Sequence, residues 1–209
     1  MLYFDELLDR YPVLSPIKDD LLKAYAAIEK TTLSGGTLYF CGNGGSASDA
    51  EHIVGELIKS FCADRSLSSD EKSAFAAFED GGEIANQLEK GIRAIALTSH
   101  VAFSTAFAND VNPELVFAQQ LYTLGRKGDL LMGITTSGNS KNVLQAMKVA
   151  RVLGIQSVLL SGNDGGLGKP LADISIVVPL KETYQIQELH LPIYHWICRE
   201  LESCVFEGE

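Results

Sequence analysis

The sequence predicts an α/β fold: a doubly wound, five-stranded parallel sheet flanked by helices, with helices at its N-terminus and a long helix at its C-terminus. Three observations predict it. Short apolar runs alternate with helical stretches along most of the chain, the pattern of strands buried on both faces and joined by crossover helices. Three of these runs end in clusters of Gly, Ser, Thr or Asn, and open α/β sheets bind ligands at the carboxyl ends of their strands. The chain has 209 residues, 46% hydrophobic and 21% charged, which suits one globular domain with a substantial core spanning residues 1–209.

Residues 1–34 read as an N-terminal helical segment. Asp19 to Leu33 places Leu21, Leu22, Ala24, Tyr25 and Ile28 at helical spacing. Pro12 and Pro16 separate this helix from a short first one, and Gly35-Gly36 ends it. The expected strands are Thr37 to Cys41, Ala94 to Thr98, Leu130 to Thr135, Ser157 to Ser161 and Ile174 to Pro179. The expected helices between and after them are Ser46 to Ser60, Pro113 to Leu124, Lys141 to Leu153 and Thr183 to Phe206. Residues 62–92 break the rhythm. They are polar and acid-rich, with two short helices expected, Ser69 to Phe78 and Glu83 to Lys90, parted by Gly81-Gly82. This insertion reads as a solvated decoration, a lid or a subunit contact.

Charge narrows the function. The formal net charge is -10, and direct nucleic-acid binding needs a basic surface. An anionic ligand is compatible with that charge, since helix N-termini and hydroxyls bind phosphate without net positive charge. The four cysteines, Cys41, Cys62, Cys198 and Cys204, form no CxxC pair and read as buried free thiols. The N-terminus lacks the basic and apolar regions of a signal peptide, and no apolar run is long enough to span a membrane. A cytoplasmic protein is expected.

Three constellations carry chemistry. The first is Gly42-Asn43-Gly44-Gly45-Ser46, leaving the first strand and opening a helix. Its glycines let backbone N–H groups approach an anionic or polyhydroxylated ligand. His52 and Glu56 follow at i and i+4 on one helix face, a pair suited to moving protons. The second is Thr135-Thr136-Ser137-Gly138-Asn139-Ser140, where four hydroxyls precede the helix starting near Lys141. A helix cap needs only one of them, so the surplus points to a phosphate cradle. The third is Gln187, Glu188, His190 and His195 in the last helix. Gln187 and His195 are offset by roughly 80° in ideal geometry, and Pro192 between them is expected to kink the helix. Histidines so placed read equally as structural or functional.

In this order and number the motifs resemble the SIS (sugar isomerase) domain, and most closely the phosphoheptose isomerase family. The matching pieces are Gly42 to Ser46 with Asp49, His52 and Glu56; Ala108-Asn109-Asp110; Thr136 to Ser140; Gly162 to Gly166; and Ile186-Gln187-Glu188 with His190 and His195. The resemblance implies interconversion of sedoheptulose 7-phosphate and D-glycero-D-manno-heptose 7-phosphate, with Glu56 and His195 as the acid/base pair. It implies a zinc ion on His52, Glu56, Gln187 and His195. It implies substrate contacts from Asn43, Gly44, Gly45, Ser46, Glu56, Asn109, Asp110, Thr135, Thr136, Ser137, Ser140 and Gln187. It also implies a homotetramer with active sites between subunits. Two positions depart from the family: Thr135 stands where serine is usual, and Lys59-Ser60 where a glycine-arginine pair is common. Other readings of the same domain are an isomerase or sensor of another phosphosugar, and a non-catalytic protein binding the replication initiator DnaA. The DnaA-binding branch lacks equivalents of Glu56 and His195, which this chain has.

Overall fold

A computed structural model describes residues 2–206. Five strands, β1 (Leu38–Cys41), β2 (Ala94–Ala96), β3 (Leu130–Ile134), β4 (Gln156–Gly162) and β5 (Ile174–Val178), form one sheet in the order β2-β1-β3-β4-β5. Every pairing is parallel, with Leu38 opposite both Ala94 and Leu130. The expected strands all form, each within two residues of its expected ends.

Side-chain alternation sorts the core into two layers. Leu38, Phe40, Leu130, Met132, Ile134, Val158 and Leu160 face one side. There they meet α1 (Phe4–Arg10), α2 (Lys18–Leu33), α3 (Gly45–Ile58) and α9 (Thr183–Phe206). Tyr39, Cys41, Leu131 and Leu159 face the other side, against α7 (Val116–Leu124) and α8 (Lys141–Leu153). Both faces are thus dry, which is why the strands read as unbroken apolar runs. Pro12 and Pro16 lie in a 3-10 turn, Pro12–Ile17, that separates α1 from α2 as expected. A 3-10 turn, Pro113–Leu115, precedes α7 and shortens that expected helix. Helix α9 is a single element through Pro192.

The excursion between α3 and β2 folds into two short pieces, α4 (Ser69–Ser73) with a 3-10 turn Ala74–Ala77, and α5 (Gly81–Gln87). The first expected helix thus divides into α4 and a 3-10 turn, and the second starts at Gly81 and ends at Gln87, so Gly81-Gly82 opens α5 instead of parting the two. The stem of the excursion is built otherwise. Arg65 and Glu202 are each 1% exposed, and their side chains meet at 2.7 Å. Glu202 also accepts from the backbone N–H groups of Phe61, Cys62 and Ala63. Arg65 donates to the carbonyls of Leu57 and Glu56, at 2.7 and 3.1 Å. The guanidinium thereby caps the negative end of α3, and the buried pair is hydrogen-bonded as its burial requires.

Two features differ from expectation. Helix α6 (Val101–Asp110) follows β2 where no helix was expected; it buries none of its residues, so its apolar side chains carry no helical stripe. Cys41 and Cys198 are buried free thiols, whereas Cys62 and Cys204 are exposed.

Candidate active site

β1 lies between β2 and β3, and the helices that follow β1 and β3 cover opposite faces of the sheet. The loops therefore diverge and open a crevice at the carboxyl edge, the topological switch point of a doubly wound sheet. Both loops expected to bind ligand border it.

After β1 the chain turns at Gly44, whose φ of 55° suits a residue without Cβ. Helix α3 starts at Gly45 with no side-chain cap; instead the Ser46 and Ala47 N–H groups donate to the Asn43 and Gly44 carbonyls at 3.1 and 3.0 Å, which tightens the turn. Gly45 packs against the Gln187 side chain closely enough that a Cβ would collide with the amide. Asn43 exchanges two 2.8 Å hydrogen bonds with Asn142 at the start of α8. This amide pair ties the two sides of the crevice together, and sequence reasoning missed Asn142. Ser46 is buried.

After β3, Thr135 Oγ1 and Ser140 Oγ bond each other at 2.9 Å. Ser140 is the N-cap residue of α8, yet its side chain makes no capping bond. The hydroxyl surplus is thus not consumed by capping, as a phosphate cradle requires. Gly138 has a φ of 68°, and a Cβ there would collide with the Gly165 carbonyl. The segment after β4 buttresses the loop: Gly168 N–H donates to the Gly138 carbonyl at 2.9 Å, and Leu167 N–H to Asn139 Oδ1 at 3.0 Å. Ser137 is exposed and Thr136 half-buried, so both hydroxyls are presented.

The acid/base candidates lie on the flank of α3 and α9. Gln187 meets Gly45, and His195 meets His52, so the two helices run in the same direction. The rings of His52 and His195 are 5.0 Å apart, edge to face. His52 Nε2 is 3.2 Å from Glu56 Oε1, and Lys59 Nζ is 3.1 Å from Glu56 Oε2. Lys59 thus places a cation on Glu56. His195 Nε2 is buried without a partner. Burial lowers the His195 pKa below its ordinary value; the His52 charge adds to this and Glu56 opposes it. Beside His195 a cleft of about 340 Å³ is lined by Tyr3, Arg10, Phe61, Trp196 and Arg199, among others.

No protein-family model matches the chain. A phosphoheptose isomerase of Helicobacter pylori (strain P12) is 38% identical over 189 residues, covering 90% of this chain and 86% of that protein. The chain belongs to the phosphoheptose isomerase family. The structure of the family's Neisseria gonorrhoeae member superposes with a TM-score of 0.75 at 30% identity, covering 97% of this chain and 96% of that one. The Francisella tularensis member gives a TM-score of 0.77 at 28% identity, covering 96% and 95%.

Within this family member the remaining candidates fall as follows. Asn109 and Asp110 end α6, both exposed and bonded to each other at 2.8 Å. Their helix neighbours Ser104, Thr105 and Ala108 line a cleft of about 350 Å³ with Gly42, Asn43 and Asn142. His190 is fully buried; burial pulls its pKa down to about 4, opposed by the Ser161 backbone, and it stands apart from the His52 group as a core residue. Glu188 is exposed. Gln187 lies two helical turns from His195, so this chain brings His52, Glu56 and His195 together without it. Among the described residues, no three His, Cys, Asp or Glu side chains are grouped so as to hold a metal ion. No described helix is long and apolar enough to cross a membrane.

Proposed function

We propose that this chain interconverts sedoheptulose 7-phosphate and D-glycero-D-manno-heptose 7-phosphate. The observation that carries the reading is the contact of Glu56, His52 and His195 on α3 and α9 in a member of this family. Glu56 and His195 are the two groups missing from the DnaA-binding branch, so the isomerase reading leads.

The reaction moves one proton between C1 and C2 and another between the two oxygens, through an enediolate. Glu56 takes the proton from C1 of the ketose and returns it to C2. His195, held towards its neutral form by burial, carries the proton from the C1 hydroxyl to O2 and assists ring opening. The Thr135, Thr136, Ser137 and Ser140 hydroxyls, with the free N–H groups of α8, hold the phosphate. Asn43, Gly44, Gly45, Ser46 and Gln187 face the sugar from the β1 side, and Asn109 and Asp110 from α6.

The donor chemistry fits zinc in part. Two imidazoles and a carboxylate are zinc ligands, and His195 Nε2 is buried and unpartnered. His52, Glu56 and His195 are the residues that would hold the ion, and when bound it would polarise the carbonyl oxygen. Gln187 stands against Gly45, two helical turns from His195, on the sugar side of the site and apart from those three residues.

The test is turnover of sedoheptulose 7-phosphate by metal-free and zinc-loaded protein, with Glu56→Gln as control. The expected result is turnover restored by zinc and cut about 10²- to 10⁴-fold in the variant, the span of general acid–base catalysis. An active Glu56→Gln protein would remove the role of Glu56, and no turnover in either metal state would remove the reading.

A further inference from the structure

Asn139 lies within the hydroxyl loop after β3 and has no part in the chemistry above. Its side chain is exposed, yet both ends of its amide are committed to backbone. Oδ1 accepts from the Leu167 N–H at 3.0 Å, and Nδ2 donates to the Ser137 carbonyl at 2.9 Å. These partners fix the amide's orientation, since turning it over would set Oδ1 against a carbonyl and Nδ2 against an N–H. Two backbone bonds join the same pair of loops: Gly162 N–H to the Thr136 carbonyl at 3.1 Å, and Gly168 N–H to the Gly138 carbonyl at 2.9 Å. The contact is tight, for a Cβ on Gly166 would stand 2.5 Å from the Ser137 carbonyl and 2.7 Å from the Asn139 amide. The segment after β4 is itself pinned. Gly166 N–H donates to Asp164 Oδ1 at 2.9 Å, and Asn163 N–H to the Leu180 carbonyl beyond β5 at 2.8 Å.

We propose that Asn139 is a positioning residue which locks the hydroxyl loop to the segment after β4 and thereby sets its affinity for phosphate. The argument is electrostatic. A bare carbonyl oxygen repels a phosphate, whereas N–H groups and hydroxyls attract it. Four consecutive carbonyls of the loop are each taken up by a donor. Thr135 accepts from the Gly138 N–H at 3.1 Å, Thr136 from Gly162, Ser137 from the Asn139 amide and Gly138 from Gly168. Of these four donors only Asn139 is a side chain, so it is the member a substitution can remove. A trans peptide points its N–H and C=O in opposite directions. Drawing the Thr136 carbonyl to Gly162 therefore turns the Ser137 N–H away from the β4 side, and the loop is left to present donors. Without the Asn139 amide the Ser137 carbonyl loses its donor, and the tie to Leu167 that holds the loop's register goes with it. This inference rests on the proposed role of Thr135, Thr136, Ser137 and Ser140 in holding the phosphate.

The experiment separates grip from turnover. Full-length protein is titrated calorimetrically with inorganic phosphate, and its kinetics are followed on sedoheptulose 7-phosphate. Asn139→Ala should weaken phosphate binding about 10-fold, within the roughly 10²-fold that a 1 Å misplacement can cost. KM for the sugar phosphate should rise by a similar factor with kcat within about twofold, the pattern of lost ground-state binding. Should Asn139→Ala fail to fold, Gly166→Ala strains the same contact from the β4 side and carries the same readout. Phosphate affinity and KM unmoved in the folded variants would overturn the proposal, even with a lowered urea midpoint, because Asn139 would then be structural only. A fall in kcat at unchanged phosphate affinity would overturn it too. A wild type that binds no phosphate would overturn both the cradle and its support. A wild type that binds phosphate, with the grip weakened in the variants, yet turns over no heptose phosphate would support the positioning and overturn the isomerase reading alone.

Discussion

The two halves of the candidate site are built by different means. The loops after β1 and β3 are made of backbone. Glycines at positive φ, free N–H groups and short hydroxyl side chains lie at strand ends that the sheet holds in register. The α3–α9 flank is made of side chains whose partners come from opposite ends of the sequence: His52 meets Tyr194 and Arg65 meets Glu202. On the proposed roles, the contrast teaches that ligand grip and acid–base chemistry would be separately supported. The grip depends on turn geometry, the chemistry on how two helices pack.

Perturbing the flank should cost most. Arg65→Leu leaves Glu202 charged and buried and removes the cap from α3, at a cost of about 3–5 kcal/mol. Urea unfolding should show that loss, and Arg65→Leu with Glu202→Leu should recover much of it. Full stability in the single variant would mean the pair holds nothing together.

A second perturbation is acid. The His190 pKa is held down at about 4 by burial, whereas the unfolded chain has about 6.5. The unfolded state therefore binds the proton first. Stability is unaffected above pH 6.5 and falls as pH drops from there to about 4, by up to about 3 kcal/mol at 1.36 kcal/mol per pH unit. His190→Leu should flatten that part of the stability profile; an unchanged slope would assign the acid loss to other groups.

The smallest effect belongs to the loops. Gly138→Ala must take a left-handed conformation and push against the Gly165 carbonyl, costing about 1–3 kcal/mol. The loss should appear chiefly as a raised KM for the phosphorylated sugar, with kcat near that of the parent. A fall in kcat with unchanged KM would show that the two halves of the site are coupled after all.

The same contrast explains what was legible in the sequence. Strands and loops could be read because their evidence is local: continuous apolar runs, Gly44 and Gly138 at the turns, four hydroxyls before α8. The His52–Glu56 pair could be read because i and i+4 share a helix face. Helix α6 could not, since it presents no buried stripe. Neither could Asn142, Tyr194 or the Arg65–Glu202 pair. Asn43 and Asn142 are 99 positions apart, and His52 and Tyr194 are 142 apart. Nothing near any of these residues announces the partner. Gln187 and His195 could be picked out on the last helix, but their roles came only from the resemblance to phosphoheptose isomerases. The structure sets His195 beside His52 and Gln187 two turns away against Gly45.

The stem of the excursion has a further consequence. Ser66 and Glu89 form an antiparallel bridge, and the Lys90 N–H donates to the Arg65 carbonyl at 2.7 Å. Entry and exit are therefore neighbours, and the polypeptide between them behaves as a cassette clipped to the body at one point. The chain entropy lost on closing that gap grows only slowly with the length spliced in, by about 0.6 kcal/mol per doubling. Trimming the excursion to a tight turn between Ser66 and Glu89 is therefore expected to leave β2 delivered to the sheet in its own register.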